Sequence, residues 1–124
     1  MPEVSIIDDE VQFAEMLAEV CEMAGYETLI FTEAGKFLER QKESDIIFLD
    51  LTMPDVDGIE VITELGKRQS KAVIVLMSGF EQELLKISQR IAQGYGLTVI
   101  DTITKPMNIS AVRQILENCR ILFK

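Results

Sequence analysis

The sequence contains no histidine and no tryptophan among its 124 residues, and it has only two cysteines and three prolines. Without histidine, the chain cannot form a Ser-His catalytic pair, a histidine-based zinc site or an imidazole general base near neutral pH. Any chemistry must therefore rest on carboxylates, hydroxyls and lysine. Cys21 and Cys119 lie on the apolar stripes of predicted helices, which favours buried thiols over a disulfide or a metal ligand.

Long hydrophobic runs and positive charge are also scarce. No stretch approaches the roughly 20 apolar residues that a membrane span needs, and the N-terminus shows no signal-peptide pattern. The chain has 12 Lys and Arg against 21 Asp and Glu, a net charge of −9, which would repel a nucleic-acid backbone. We therefore expect a cytoplasmic protein that does not bind nucleic acid directly and does not associate with a membrane.

The sequence does contain a regular alternation of two patterns. Short apolar runs rich in β-branched residues predict five strands buried on both faces, at residues 4–7, 28–31, 46–49, 73–77 and 97–103. Segments with helical spacing of apolar residues lie between and after these runs. The alternation predicts one α/β domain over residues 1–124, a doubly wound parallel sheet with helices on both faces. Ligands of such folds bind beyond the carboxyl ends of the strands.

Acidic side chains follow the first and third predicted strands directly. Asp8 and Asp9 come after the first strand, and Asp50 comes after the third. If these strands are neighbours, the three carboxylates lie close enough that repulsion raises a pKa or requires a cation. Mg²⁺ prefers oxygen ligands and often combines one or two carboxylates with phosphate oxygens, so the sequence predicts a Mg²⁺ site. An alternative role for Asp9 is a helix N-cap, because Gln12 stands three residues later in capping-box spacing.

Polar residues also follow the fourth and fifth predicted strands. Ser78 and Gly79 offer a small hydroxyl and an unhindered backbone N–H that can bind a phosphoryl oxygen, although Ser-Gly alone is more often a turn signal. Lys105, which precedes a proline, would direct an ammonium group at the carboxylates, whereas an isolated lysine is usually a solvated surface residue. Asp55 and Asp57 are expected to be turn and cap residues rather than ligands.

Together these residues resemble the receiver domains of bacterial two-component response regulators, the CheY-like superfamily. The similarity spans nearly the whole chain and rests on four motifs in order: Asp8-Asp9, Asp50 followed by LTMPDVDG at residues 51–58, Ser78-Gly79 and Lys105-Pro106. It implies a flavodoxin-like, five-stranded parallel sheet of strand order 2-1-3-4-5 with (βα)5 connectivity. It also implies a cis peptide bond between Lys105 and Pro106.

The resemblance implies that Asp50 accepts a phosphoryl group in the presence of Mg²⁺. The implied metal ligands are oxygen atoms of four residues: Asp8, Asp9, Asp50 and Thr52, the last through its backbone carbonyl. The implied phosphoryl-binding and switch residues are Ser78, Gly79 and Lys105. Phosphorylation would shift an equilibrium between two arrangements of the loops after the fourth and fifth strands. It would thereby change the face formed by the fourth helix, fifth strand and fifth helix. The domain would not be an enzyme beyond its own phosphorylation and dephosphorylation.

The resemblance also implies partners. Because the chain has no histidine, its phosphoryl group must come from outside, in this family from a sensor histidine kinase or a histidine phosphotransfer domain. Residues 84–104 resemble receivers attached to EAL-type cyclic-di-GMP phosphodiesterases, which implies an output partner connected with that nucleotide. Thr102 stands where many receivers have an aromatic switch residue, so we expect a different readout. Phe80 is expected to shield an acyl phosphate from water and to slow its loss.

Three other functions fit parts of the pattern. A receiver-like module could bind partners without phosphorylation, but the complete set of Asp50, Ser78 and Lys105 argues against it. A magnesium phosphatase with an aspartyl nucleophile would need a second acid where Thr52 stands. A flavin-binding carrier of the same topology would need a Ser, Thr and Gly phosphate cradle after the first strand, where this chain has acids.

Overall fold

The computed structural model describes residues 2–40, 42–53, 58–79 and 81–123, so the predictions for Asp55, Asp57 and Phe80 lie outside the described residues. Strands and helices alternate along the chain as predicted. In order they are β1 (Glu3–Ile7), α1 (Val11–Met23), β2 (Glu27–Phe31), α2 (Ala34–Leu38), β3 (Ile46–Asp50), α3 (Gly58–Lys67), β4 (Val73–Ser78), α4 (Gln82–Gly94), β5 (Thr98–Thr104) and α5 (Ile109–Leu122).

The five strands form one parallel sheet in the order β2-β1-β3-β4-β5. This confirms the predicted flavodoxin-like, doubly wound fold. Chain order reverses between β1 and β3, and ligands of doubly wound sheets bind at such a reversal, beyond the carboxyl ends of the strands. The register pairs Ile7 with Leu49, so the residues that follow β1 and end β3 lie side by side at one edge of the sheet.

Burial of each strand follows its place in the sheet. All of β3 and β4 is buried, and β1 is buried except for its first residue. The prediction of burial on both faces is wrong for β2, which has no buried residue, and for β5, where only Ile103 is buried. These are the two edge strands, so helices cover them less completely, and their sequences mix polar with apolar residues.

Two hydrophobic clusters cover the two faces of the sheet. Alternate strand residues point to opposite faces, so one set packs with α1 and α5 and the other with α2, α3 and α4. Cys21 and Cys119 are free, buried thiols in the first cluster, as predicted. Burial raises the pKa of Cys21 to about 12 and that of Cys119 to about 11, so both thiols stay protonated.

Within the described ranges, no helix is both long enough and apolar enough to cross a membrane.

Candidate functional site

The adjacent ends of β1 and β3 bring three carboxylates together. Asp8, Asp9 and Asp50 each offer an oxygen, and these oxygens all lie within 4.8 Å of one another. Asp8 and Asp50 are buried, whereas Asp9 is exposed. A set of oxygen donors that is partly buried and open to solvent on one side suits a hard cation such as Mg²⁺, which keeps several of its waters.

Asp8 is held by the backbone of the following turn and by a lysine. Its Oδ1 accepts a hydrogen bond from the N–H of Glu10 at 2.9 Å, and its Oδ2 lies 2.8 Å from Nζ of Lys105. Burial raises the pKa of Asp8 to about 6, and the charge of Asp50 adds to this, although Lys105 and the Glu10 N–H partly offset the rise. The rise comes chiefly from removing the charged carboxylate from water, and the nearby charge of Asp50 is a smaller cause.

Asp50 ends β3 and is only 1% exposed. Its Oδ1 accepts two hydrogen bonds from Thr52, one from the backbone N–H at 3.0 Å and one from the hydroxyl at 2.8 Å. Its Oδ2 lies 3.4 Å from Nζ of Lys105. The loop after β3 therefore fixes one oxygen of this carboxylate and leaves the other facing an ammonium group.

Lys105 follows β5 and places its ammonium group among the acids. Its Nζ lies 2.8 Å from Asp8, 2.7 Å from Glu10 and 3.4 Å from Asp50. The same atom lies 4.4 Å from the ring centroid of Phe13, within the range of a cation–π contact. Burial lowers the pKa of Lys105, but the neighbouring carboxylates outweigh burial and raise it, so the side chain stays charged.

Ser78 ends β4 and is completely buried. Its carbonyl accepts a hydrogen bond from the N–H of Lys105 at 2.8 Å, which joins the ends of β4 and β5. Its Oγ has no hydrogen-bond partner among the residues that the structure describes. Buried hydroxyls are almost always paired, so an unpaired one at this edge fits a ligand with acceptor oxygens.

Two backbone features lie beside these residues. Gly79 follows Ser78 in a bend. The peptide bond between Lys105 and Pro106 is cis, as the resemblance implies.

The alternative role of Asp9 as a helix N-cap is wrong. The N-cap of α1 is Glu10 and no side chain caps the helix, so the capping box with Gln12 does not form. The Asp8 carboxylate accepts the Glu10 N–H, and the helix begins one residue later than a cap at Asp9 would place it. The Glu10 side chain instead reaches Lys105.

Sequence reasoning missed three contacts: those of Glu10 and Phe13 with Lys105, and that of the Thr52 hydroxyl with Asp50. A local signal was present for one of them. The spacing of Glu10 and Phe13 places them on one face at the start of α1, but it does not indicate that this face meets Lys105. Thr52 stands two residues after Asp50, the spacing at which an Asp side chain accepts from the backbone in an Asx-turn.

This fold and this constellation of two buried acids, a buried serine and a lysine at one sheet edge define a receiver-type α/β domain. The model of the family described as "Response regulator receiver domain" matches residues 4–117. The chain belongs to this family. Its members are receiver domains of two-component systems, whose general function is phosphorylation-dependent signalling between histidine kinases and output domains rather than enzymatic turnover.

Individual relatives agree with the family assignment. The chain is 34% identical over 127 residues to the DNA-binding dual master transcriptional regulator RpaA of Synechocystis, covering 100% of this chain and 50% of RpaA. It is 34% identical over 116 residues to the chemotaxis protein CheY of Thermotoga maritima, covering 91% and 92%. The crystal structure of a response regulator from Colwellia psychrerythraea has a TM-score of 0.85 and 36% identity, and each chain is 94% covered. The chain thus spans half the length of RpaA and nearly all of CheY.

Proposed function

We propose that residues 1–124 form a single receiver domain that is switched by phosphorylation of Asp50. The observation that carries this proposal is the environment of one buried carboxylate: Asp50 Oδ2 faces the Lys105 ammonium at 3.4 Å. The neighbouring strand β4 ends at Ser78, whose hydroxyl has no partner among the described residues. A positive charge and a free hydrogen-bond donor beside a nucleophilic oxygen are the groups that a phosphoryl group needs.

A Mg²⁺ ion fits this site. The ligands we propose are Asp8, Asp9, Asp50 and the Thr52 backbone carbonyl, and the support is the close approach of the three carboxylates. When bound, Mg²⁺ neutralises charge on phosphoryl oxygens as they approach a carboxylate.

The proposed reaction is an in-line displacement. An Asp50 carboxylate oxygen forms a bond to the phosphorus of the donor, the bond from phosphorus to the leaving group breaks, and the leaving group keeps the electron pair. The N–H and hydroxyl of Thr52 hold the second oxygen of Asp50 and so orient the carboxylate. Lys105 binds the transferred oxygens by charge, while Ser78 and the Gly79 N–H donate hydrogen bonds to them. The product is an acyl phosphate on Asp50.

The donor and the output are other proteins or domains. We propose a phosphohistidine on a sensor kinase or on a phosphotransfer domain as the donor, since the chain has no histidine. The proposed output surface is the face formed by α4, β5 and α5, where Thr102 is partly buried in β5 and offers a small hydroxyl in place of an aromatic ring. A connection with cyclic-di-GMP and a cytoplasmic location stay predictions from the sequence.

The test is intact mass after incubation with Mg²⁺ and a small donor such as acetyl phosphate or phosphoramidate. We expect one labile phosphoryl adduct on the wild type, no adduct on Asp50→Asn, and no adduct when a chelator is present throughout the incubation with the donor. An equal adduct on Asp50→Asn would contradict the assignment of the acceptor. Absence of any adduct with several donors, despite Mg²⁺ binding, would favour a module that binds partners without phosphorylation.

A further inference from the structure

We propose that Glu10 and Phe13 hold the Lys105 ammonium in the unphosphorylated protein, and that Glu10 thereby opposes the activated state. This inference rests on the proposed function and concerns the energy of the same switch. Both residues come from the start of α1, an element to which neither the sequence patterns nor the resemblance assigns a part in phosphoryl binding.

The distances show which anions hold the ammonium group. Nζ of Lys105 lies 2.7 Å from Glu10 and 2.8 Å from Asp8, but 3.4 Å from Asp50. The two short distances are those of direct ion pairs, whereas the longest is at the limit of a hydrogen bond. The resting position of the ammonium is therefore nearer the start of α1 than the proposed phosphoacceptor.

Phe13 contributes a second attraction toward α1. Its ring centroid lies 4.4 Å from Nζ of Lys105, and the ring itself packs against the cluster between the sheet and α1. The face of an aromatic ring attracts a cation, and this attraction strengthens where solvent is excluded. Since the Lys105 side chain is only 9% exposed, water competes weakly for the ammonium group.

A phosphoryl group on Asp50 requires the same ammonium group. If Asp8 served as a Mg²⁺ ligand, its charge would be shared with the metal, and Glu10 would be the remaining anion within 3 Å of the Lys105 ammonium. The Glu10 side chain is 64% exposed, so solvent screens its ion pair and limits its strength. Glu10 therefore raises the free energy of the activated state relative to the resting state without preventing activation.

The experiment measures binding of beryllofluoride, a noncovalent analogue of the phosphoryl group on a carboxylate, by fluorine NMR at saturating Mg²⁺. Glu10→Gln removes the competing charge and keeps the side-chain size. The matched control is Glu15→Gln, which makes the same charge change at an exposed position of α1. We expect Glu10→Gln to bind beryllofluoride roughly two- to fivefold more tightly, a change in affinity that corresponds to the free energy of a partly exposed ion pair. Glu15→Gln should match the wild type.

Phe13→Leu extends the test to the ring. This variant keeps an apolar side chain on α1 but removes the aromatic face, and we expect beryllofluoride affinity to rise by about twofold, in line with a modest cation–π contact. Calorimetric titration of Mg²⁺ on each variant verifies that all measurements are made at a saturated metal site.

The outcomes separate this inference from the proposed function on which it rests. If the wild type binds no beryllofluoride, the proposed function is wrong and the inference fails with it. If the wild type binds but Glu10→Gln binds no more tightly than Glu15→Gln, the inference alone is wrong.

Discussion

Replacing Ser78 by alanine should raise stability and weaken phosphoryl binding at the same time. The Ser78 hydroxyl is completely buried and has no partner among the described residues. An unsatisfied buried polar group costs about 1–3 kcal/mol, and alanine fills nearly the same space without that group. We therefore expect Ser78→Ala to stabilise the unphosphorylated protein by about 1 kcal/mol, which raises the Tm of a domain of this size by roughly 3–5 °C.

The effect on ligand binding has the opposite sign. A hydrogen bond from a hydroxyl to a charged group contributes about 1.5–3 kcal/mol, so its loss should weaken beryllofluoride binding about 10- to 150-fold. Both expected effects come from one hydroxyl that lacks a partner among the described residues and would gain one when the phosphoryl analogue binds.

Urea unfolding and beryllofluoride titration, both on purified protein, measure the two effects. Ser88 provides the control, because its hydroxyl is also completely buried and unpaired within the described part of the chain, but it lies in the middle of α4. Ser88→Ala should stabilise the protein and leave beryllofluoride affinity unchanged. A Ser78→Ala variant that is less stable than the wild type would refute the reasoning, since the hydroxyl would then have a partner at rest.

Three further predictions concern stability and reactivity. The free energy of unfolding of Gly66→Ala should be about 1–2 kcal/mol lower than that of the wild type, although alanine has the better helix propensity, because the added Cβ would lie 2.5 Å from Cγ of Tyr95. A variant that is more stable in urea unfolding would contradict this. The two buried cysteine thiols should react with a disulfide reagent at pH 8 only as fast as the protein opens, whereas denatured chains react at once; fast reaction of the native protein would show otherwise. The hydrogen bond from the Ser70 hydroxyl holds the pKa of Glu43 below its usual 4.5. The ionised Glu43 carboxylate therefore stabilises the folded protein above that pH, and this stabilisation disappears as the pH falls through the lower pKa of the folded state. Glu43→Gln should therefore cost more stability at neutral than at acidic pH, and a constant difference across a series of urea titrations would be the contrary result.

The main features of the candidate site could be predicted because four of the five predicted strands lead into a chemically distinct side chain. A parallel sheet brings its carboxyl ends to one edge, so Asp8, Asp50, Ser78 and Lys105 had to converge once the strand pattern was recognised. Repulsion among the acids predicts either a raised carboxylate pKa or a bound cation, and the pKa of Asp8 is raised to about 6, chiefly by burial.

The remaining features depend on geometry that no local pattern encodes. Glu10 and Phe13 reach Lys105 across a separation of more than 90 positions in the chain, which no local periodicity can reveal. The lack of a hydrogen-bond partner for the Ser78 hydroxyl among the described residues depends on side chains that are close in space but distant in the chain. The exposure of β2 depends mainly on its place at the edge of the sheet, which its own residues do not reveal.

The most direct test of the central claim locates the phosphoryl group on the chain. After phosphorylation with a small donor and Mg²⁺, borohydride reduces an aspartyl phosphate to homoserine, and peptide mass spectrometry identifies the reduced position. We predict homoserine at position 50 and at no other acidic residue, with the signal absent when the donor is omitted. Homoserine elsewhere, or a stable phosphoryl group on a hydroxyl with Asp50 unmodified, would contradict the assignment of Asp50 as the phosphoacceptor.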